Sequence, residues 1–223
     1  MQKFTTAAPV SAVLDIPAGR IQLIAADRAD TTVEVLPADA ARSRDVQAAQ
    51  EIEVSYDGGV LRIEAPKARN RILGHSGSVE VTVQLPAGSS VEAKAALAEL
   101  RGVGRLGDVA FEGAQATVKL DETDGARLTL QAGDVSVGRL GGPAEISTQK
   151  GDLRISEAVH GTVTLRTEYG GIEVGAARGV SASLDAGTGY GRIHNALRNT
   201  DGAAAGLNIH ATTAYGDITA RSL

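Results

Sequence analysis

The sequence predicts an all-β protein: a right-handed parallel β-helix-like solenoid with an N-terminal β-strand region. Three observations predict it. Apolar and polar residues alternate at period two through much of the chain, the pattern of half-buried strands. From about residue 100 a Gly-Asp-apolar-x-apolar motif recurs at steps of 18 to 26 residues, the scale of solenoid coils. The residues are also small: Gly is 27 of 223, about 12% against a usual ~7%, aromatics are 3% and Trp is absent. A narrow interior filled by Ala, Val, Ile and Leu explains that composition.

The N-terminal strand region, residues 1–100, carries the period most clearly at Val79, Val81, Val83 and Leu85, which alternate with Glu80, Thr82 and Gln84 before Pro86 stops the run. Similar alternation occurs at Ile21–Ile24, Val33–Val35, Ile52–Val54 and Leu61–Ile63, each bounded by turn formers. Ala38 to Gln50 lacks Gly and Pro and is Ala-rich. It reads equally as a short surface helix or as an ordered loop.

Residues 101–223 are the coil region, and the whole chain reads as one solenoid domain. Copies of the motif begin at Gly107, Gly133, Gly151, Gly170, Gly191 and Gly216. With each glycine as zero, the −7 residues of the last five copies are Ala126, Ala144, Val163, Leu184 and Ile209. The −5 residues are Leu128, Ile146, Leu165, Ala186 and Ala211, and the +2 residues are Val135, Leu153, Ile172, Ile193 and Ile218. All are apolar, so each coil has one strand before its glycine and one after, both facing a common interior. Glycine at the corner admits a φ that other residues avoid. Stacked coils at ~4.8 Å give a rod of roughly 30 Å for six. The −3 column, with Thr148, Thr167, Thr188 and Thr213, predicts hydroxyls bonded to neighbouring coils. At +4, Asn195 and Ala220 weaken the core pattern, so the final two coils are expected to be thinner. Parallel crossovers are nearly always right-handed, which sets the expected hand.

These residues resemble a known group. A V-x-V-x-V-x-L-P segment (Val79–Pro86) followed by G-D-[IVL]-x-[IV] coils is similar to the bacterial putative-adhesin, or Toastrack, family of β-strand-repeat proteins. The stretch Val180–Leu223, with Gly-Thr-Gly-Tyr-Gly and the ending Tyr-Gly-Asp-Ile-Thr-Ala-Arg-Ser-Leu, resembles cytosolic actinobacterial members. The resemblance covers nearly the whole chain. It implies a β-helix-like domain of undefined biochemical function, and for some relatives a place beside membrane proteins of envelope-stress systems. It brings no catalytic residues.

Two candidate sites follow from the register. The +1 and +3 residues point away from the interior, which gathers Asp152, Arg154, Glu173, Arg192 and His194 on one face. Polysaccharide lyases on parallel β-helices use Asp and Arg on such a face. The competing reading is a solvated face whose opposite charges alternate between strands, and it is the stronger one. Tyr169, Tyr190 and Tyr215 all hold the −1 position. They read as a ring ladder at a corner or as a flat face for a sugar or a partner's apolar side chain, the ladder being favoured.

Other chemistries lack their residues. With no Cys there is no thiolate nucleophile, disulfide or Cys-bound metal. The four His (His75, His160, His194, His210) show no ligand spacing, and the Gly-Asp repeat is too sparse for a calcium β-roll. There is no P-loop, dinucleotide fingerprint or G-x-S-x-G elbow. No metal or other cofactor is expected. The net charge of −5 offers no basic field for nucleic acid, and no apolar run of membrane-spanning length exists. Met1–Val10 lacks the apolar core of a signal peptide, so the expected location is cytoplasmic. The function expected is a non-enzymatic scaffold or protein-interaction module in a bacterial stress or signalling assembly, with a protein partner. The alternatives are a carbohydrate-binding or carbohydrate-cleaving β-helix, and a self-assembling protein that forms homo-oligomers through its solenoid ends.

Overall fold

The computed structural model describes residues 1–66 and 77–223, apart from the side chain of Ala203. His75 lies outside the described residues. The N-terminal region has β1 (Gln2–Thr5), β2 (Ser11–Ala26), β3 (Asp30–Pro37), helix α1 (Ser43–Glu51), β4 (Glu53–Asp57), β5 (Val60–Glu64) and β6 (Val79–Pro86). The coil region has β7 (Ser90–Ala132), β8 (Val135–Leu140), β9 (Ala144–Lys150), β10 (Leu153–Ala158), β11 (Gly161–Tyr169) and β12 (Ile172–Ala176). It ends with β13 (Ala182–Tyr190), β14 (Ile193–Ala196) and, after a short 3-10 turn, β15 (Leu207–Tyr215) and β16 (Ile218–Ser222).

The strands form two stacks joined at corners, the architecture the periodicity predicts. The first stack runs β4, β5, the first half of β2, β7, β9, β11, β15, β13. The second runs β1, β3, β6, the second half of β2, β7, β8, β10, β12, β16, β14. The N-terminal strands therefore join the solenoid. Ser11–Asp15 pairs in parallel with Val60–Glu64, and Gly19–Ala26 with Val79–Pro86. Both halves pair with β7 on the other side. The interior is mainly apolar: Leu14, Leu23, Leu100, Phe111, Leu120, Leu128 and Leu165 are fully buried, joined by a few polar side chains such as Thr31, Ser89 and Thr123.

The two ends differ. At the N-terminal end, antiparallel strands close the stacks: β4 on β5, β3 on β6 and β1 on β3. Phe4 and Tyr56, one from each outermost strand, meet with ring centroids 5.4 Å apart. Helix α1 packs on β3 and β6, and its buried Asp45 accepts the Ser78 N–H at 2.9 Å. The Ala38–Gln50 segment thus contains both a turn and a helix.

At the C-terminal end the order of coils departs from the order of the chain. β15 pairs with β11 on one side and β13 on the other, and β16 lies between β12 and β14. The last coil is inserted into the stack, and the coil of β13 and β14 is the terminal one. Nothing among the described strands pairs with the outer edges of β13 and β14. The connection from Leu197 to Gly206 crosses one corner of this end, where Ser181 Oγ accepts the N–H groups of Thr200 and Asp201, both at 3.1 Å.

The corner glycines form a column in spatial order: Gly133, Gly151, Gly170, Gly216, Gly191. Gly170 has φ +153°, and a Cβ there would lie 2.0 Å from the Gly151 carbonyl oxygen. At Gly216 (φ +156°) the same atom would lie 1.9 Å from the Gly170 oxygen. Coil spacing leaves no room for any side chain. Three of the four Thr behave as read: Thr167, Thr213 and Thr188 donate to the carbonyls of Gly151, Gly170 and Gly216, each at 3.0 Å, whereas Thr148 donates within its own coil to the Lys150 carbonyl at 3.3 Å.

One copy of the motif sits elsewhere. Val118 pairs with Val135, so Ala116 is the neighbour of Gly133. Gly107 instead bonds the Ser89 carbonyl at 2.8 Å, at the opposite corner of its coil. Both corners favour a small residue followed by in-out alternation, and Val109 and Phe111 are buried from either. The corner positions Ala116, Gly133, Gly151 and Gly170 are 17 to 19 residues apart, whereas the step from Gly107 to Gly133 is 26.

Candidate functional site

The five polar residues of the predicted face are divided by the inserted coil. Arg154 and Glu173 are register neighbours and form an ion pair at 3.1 Å. Glu173 also meets Arg221 at 3.4 Å. His194 does not adjoin Glu173, because both pair with Thr219 from opposite sides. Arg192 lies beside Asp217, not beside Asp152 or Glu173.

The aspartates at +1 brace neighbouring coils. Asp134 Oδ1 accepts the Asp152 N–H at 2.8 Å, and Asp152 Oδ1 accepts the Gly171 N–H at 2.7 Å. Asp217 accepts the Arg192 N–H at 2.8 Å and its guanidinium at 3.1 Å. That backbone N–H, and then the guanidinium, hold the Asp217 carboxyl below the usual carboxylate range. Among the described residues no group of three or more His, Cys, Asp or Glu could hold a metal ion.

The tyrosines stack in spatial order Tyr169, Tyr215, Tyr190. Centroids are 5.0 and 4.9 Å apart and the planes lie within 1° and 5° of parallel. The ring faces are turned onto each other, so the side of the column offers edges and hydroxyls. The outer face of Tyr190, 70% exposed, is open at the end of the stack.

That end also bears features the register alone did not single out. Ile193 holds the +2 position, where Val135, Leu153, Ile172 and Ile218 are 2% exposed or less, yet it is 45% exposed. Leu184 and Ala186 are only partly buried. Asp185 meets His210 at 3.3 Å with its side chain 84% exposed, and Arg192 is 89% exposed. The sequence signal for this opening was the polar +4 residue, Asn195. A separate shallow groove of about 760 Å³ crosses the first stack, with Glu92, Asp108, Arg127, Glu145 and Arg166 in its walls.

Architecture and surface define a β-solenoid of stacked parallel coils with one closed and one open end. The chain belongs to the Toastrack family (DUF4097), whose model matches residues 13–222. Solved structures with a similar outline include a "putative cell adhesion protein" from Clostridium sporogenes: 11% identity, TM-score 0.42, covering 100% of this chain and 98% of that one. A "putative adhesin" from Parabacteroides distasonis has 14% identity and a TM-score of 0.42, covering 100% and 95%. A "putative lipid binding protein" from the same species has 11% identity and a TM-score of 0.45, covering 98% and 95%. No curated protein matches the chain in sequence. No helix among the described residues is long and apolar enough to cross a membrane.

Proposed function

We propose that the chain is a non-catalytic binding scaffold whose open C-terminal end receives a protein partner. The resemblance to a family some of whose members stand beside membrane proteins of envelope-stress systems supports a partner within a bacterial stress or signalling assembly. One observation carries the reading: Ile193, Tyr190 and the outer edges of β13 and β14, apart from the Ala182 N–H that the Arg198 carbonyl accepts at 3.0 Å, are left uncovered at one end of an otherwise filled stack. An unpaired strand offers main-chain donors and acceptors to an incoming strand, and alternate side chains supply selectivity. The charged columns along the rod support the same reading, because Arg154, Glu173, Arg192 and Asp217 are engaged with one another across coils.

The test is chemical crosslinking in the native cell followed by mass spectrometry. Wild type is compared with Ile193→Lys and with an Arg154→Ala/Glu173→Ala double variant. The expected result is crosslinks that map to residues 183–196 and vanish only in Ile193→Lys. Crosslinks lost only in the double variant would move the binding surface to the polar face and overturn the reading.

A further inference from the structure

We infer that the partner at the open end is a second copy of this chain, joined through a twofold axis into an end-to-end dimer; this rests on the reading of that end as the binding surface. Three observations select this occupant.

The first is the tyrosine stack. It ends in the bare face of Tyr190, and a ring of the same kind is what continues it at the same spacing. The N-terminal end offers none at that corner. Ala18 precedes Gly19, and Leu97 precedes Ala98, its register partner. Only another C-terminal end supplies a tyrosine there.

The second is the pairing geometry. A twofold axis parallel to the plane of the terminal coil and half a coil spacing outside it, passing over the Gly191 corner, exchanges the two stacks and reverses the sense in which the coil runs. β13 of one copy then meets β14 of the other antiparallel, and the converse pair forms by symmetry. Such an interface is isologous and closes at two copies. Leu184, Ala186 and Ile193, which lie at interior positions of an uncovered coil, gain the cover that their counterparts have elsewhere in the rod.

The third is charge. β13 carries Asp185 and no base, whereas β14 and the residue before it carry His194 and Arg192 and no acid. The exchange of stacks sets the acidic edge against the basic one on both sides of the axis. Neither edge strand contains Pro or Lys, the residues that commonly protect an edge from pairing. The N-terminal end, closed by antiparallel strands and by Phe4 on Tyr56, does not repeat this surface, so assembly stops at the dimer.

The test uses the full chain in a concentration series by sedimentation velocity, with cysteine crosslinking beside it. The protein has no Cys, so Tyr190→Cys places one thiol next to the proposed axis, and Leu36→Cys, on exposed β3, is the control. The expected result is a monomer–dimer equilibrium with nothing larger. Tyr190→Cys should form a covalent dimer under mild oxidation about tenfold faster than the control, as held proximity gives. Ile193→Lys should raise the dimer Kd about tenfold or more while its circular dichroism stays that of the wild type. A monomer at every concentration, equal crosslinking of the two thiols, or species that grow beyond two copies would overturn the inference. If the chain is monomeric but Ile193→Lys still abolishes a crosslink to another protein, the inference falls and the binding end stands. If both results fail, both fall.

Discussion

The two ends of the solenoid solve the same problem in different ways. A stack of parallel coils must finish somewhere, and its last coil exposes interior side chains and unpaired backbone. At the N-terminal end the chain reverses direction, adds antiparallel strands and closes the gap with Phe4 and Tyr56. At the C-terminal end it folds its final coil inward and leaves the preceding coil outermost. An end built to be inert would resemble the first. The second keeps interior positions accessible, which is why we read it as the functional end.

The largest expected effect comes from removing that inward coil. Deleting residues 207–223 leaves β13 and β14 without the strands that hold them, since they pair only with β15 and β16 among the described residues. Limited proteolysis should then cut freely through residues 178–206, while the fragment N-terminal to them stays resistant. Deleting residues 1–5 should loosen only β3 and leave the coils resistant.

Substitutions at the glycine column sharpen the contrast. Gly170→Ala forces a methyl onto the Gly151 oxygen with neighbours fixed on both sides. It should cost about 3 kcal/mol or more, read by chemical denaturation. Gly191→Ala meets the Gly216 oxygen at a similar 2.0 Å, but the outermost coil is free to shift. It should cost less than half as much. Apolar truncations should follow suit. Leu128→Ala, in the filled interior, should cost about 3 kcal/mol, and Leu184→Ala, at the open end, about 1 kcal/mol or less.

The smallest effect is on pH dependence. Arg28 and then Lys3 hold the Asp30 carboxyl at about 2, below its ordinary 3.8. The unfolded chain binds more protons in that window, so this contribution is complete above the ordinary value and is lost as pH falls from about 4 toward 2. Asp217, held low by Arg192, acts with the same sign at the other end. Asp30→Asn should flatten the acid limb of a melting-temperature curve slightly and leave the neutral plateau lowered. An unchanged limb would show that neither cation acts on Asp30 in solution.

Much of this architecture was legible in the residues. The glycine, threonine and tyrosine columns each need one residue type at one spacing, because each is repeated by coil stacking, and the structure aligns them. The coil order was not legible. A parallel ladder accepts any neighbour with the same in-out pattern, and the coils of Gly191 and Gly216 present the same register to Gly170. What distinguishes them is weak: Asn195 at +4, and Gly187 and Gly189 in a strand that an interior coil would fill with bulkier residues. The displaced Gly107 copy has the same origin, since both corners accept Gly-Asp followed by alternation. For the candidate face, proximity inferred from chain order failed where the order itself changed. Arg154 and Glu173 are adjacent, whereas Arg192 and His194 belong to the far side of the inserted coil.

The most direct measurement is hydrogen–deuterium exchange along the C-terminal third, at a concentration low enough to keep the chain monomeric. The inserted coil predicts that Leu207–Tyr215, although nearer the chain terminus than Ala182–Tyr190, exchanges as slowly as Gly161–Tyr169. Ala182–Tyr190 and Ile193–Ala196 should exchange much faster. Protection that declines steadily in chain order, with residues 182–196 slower than residues 207–222, would contradict the insertion and the open end built on it.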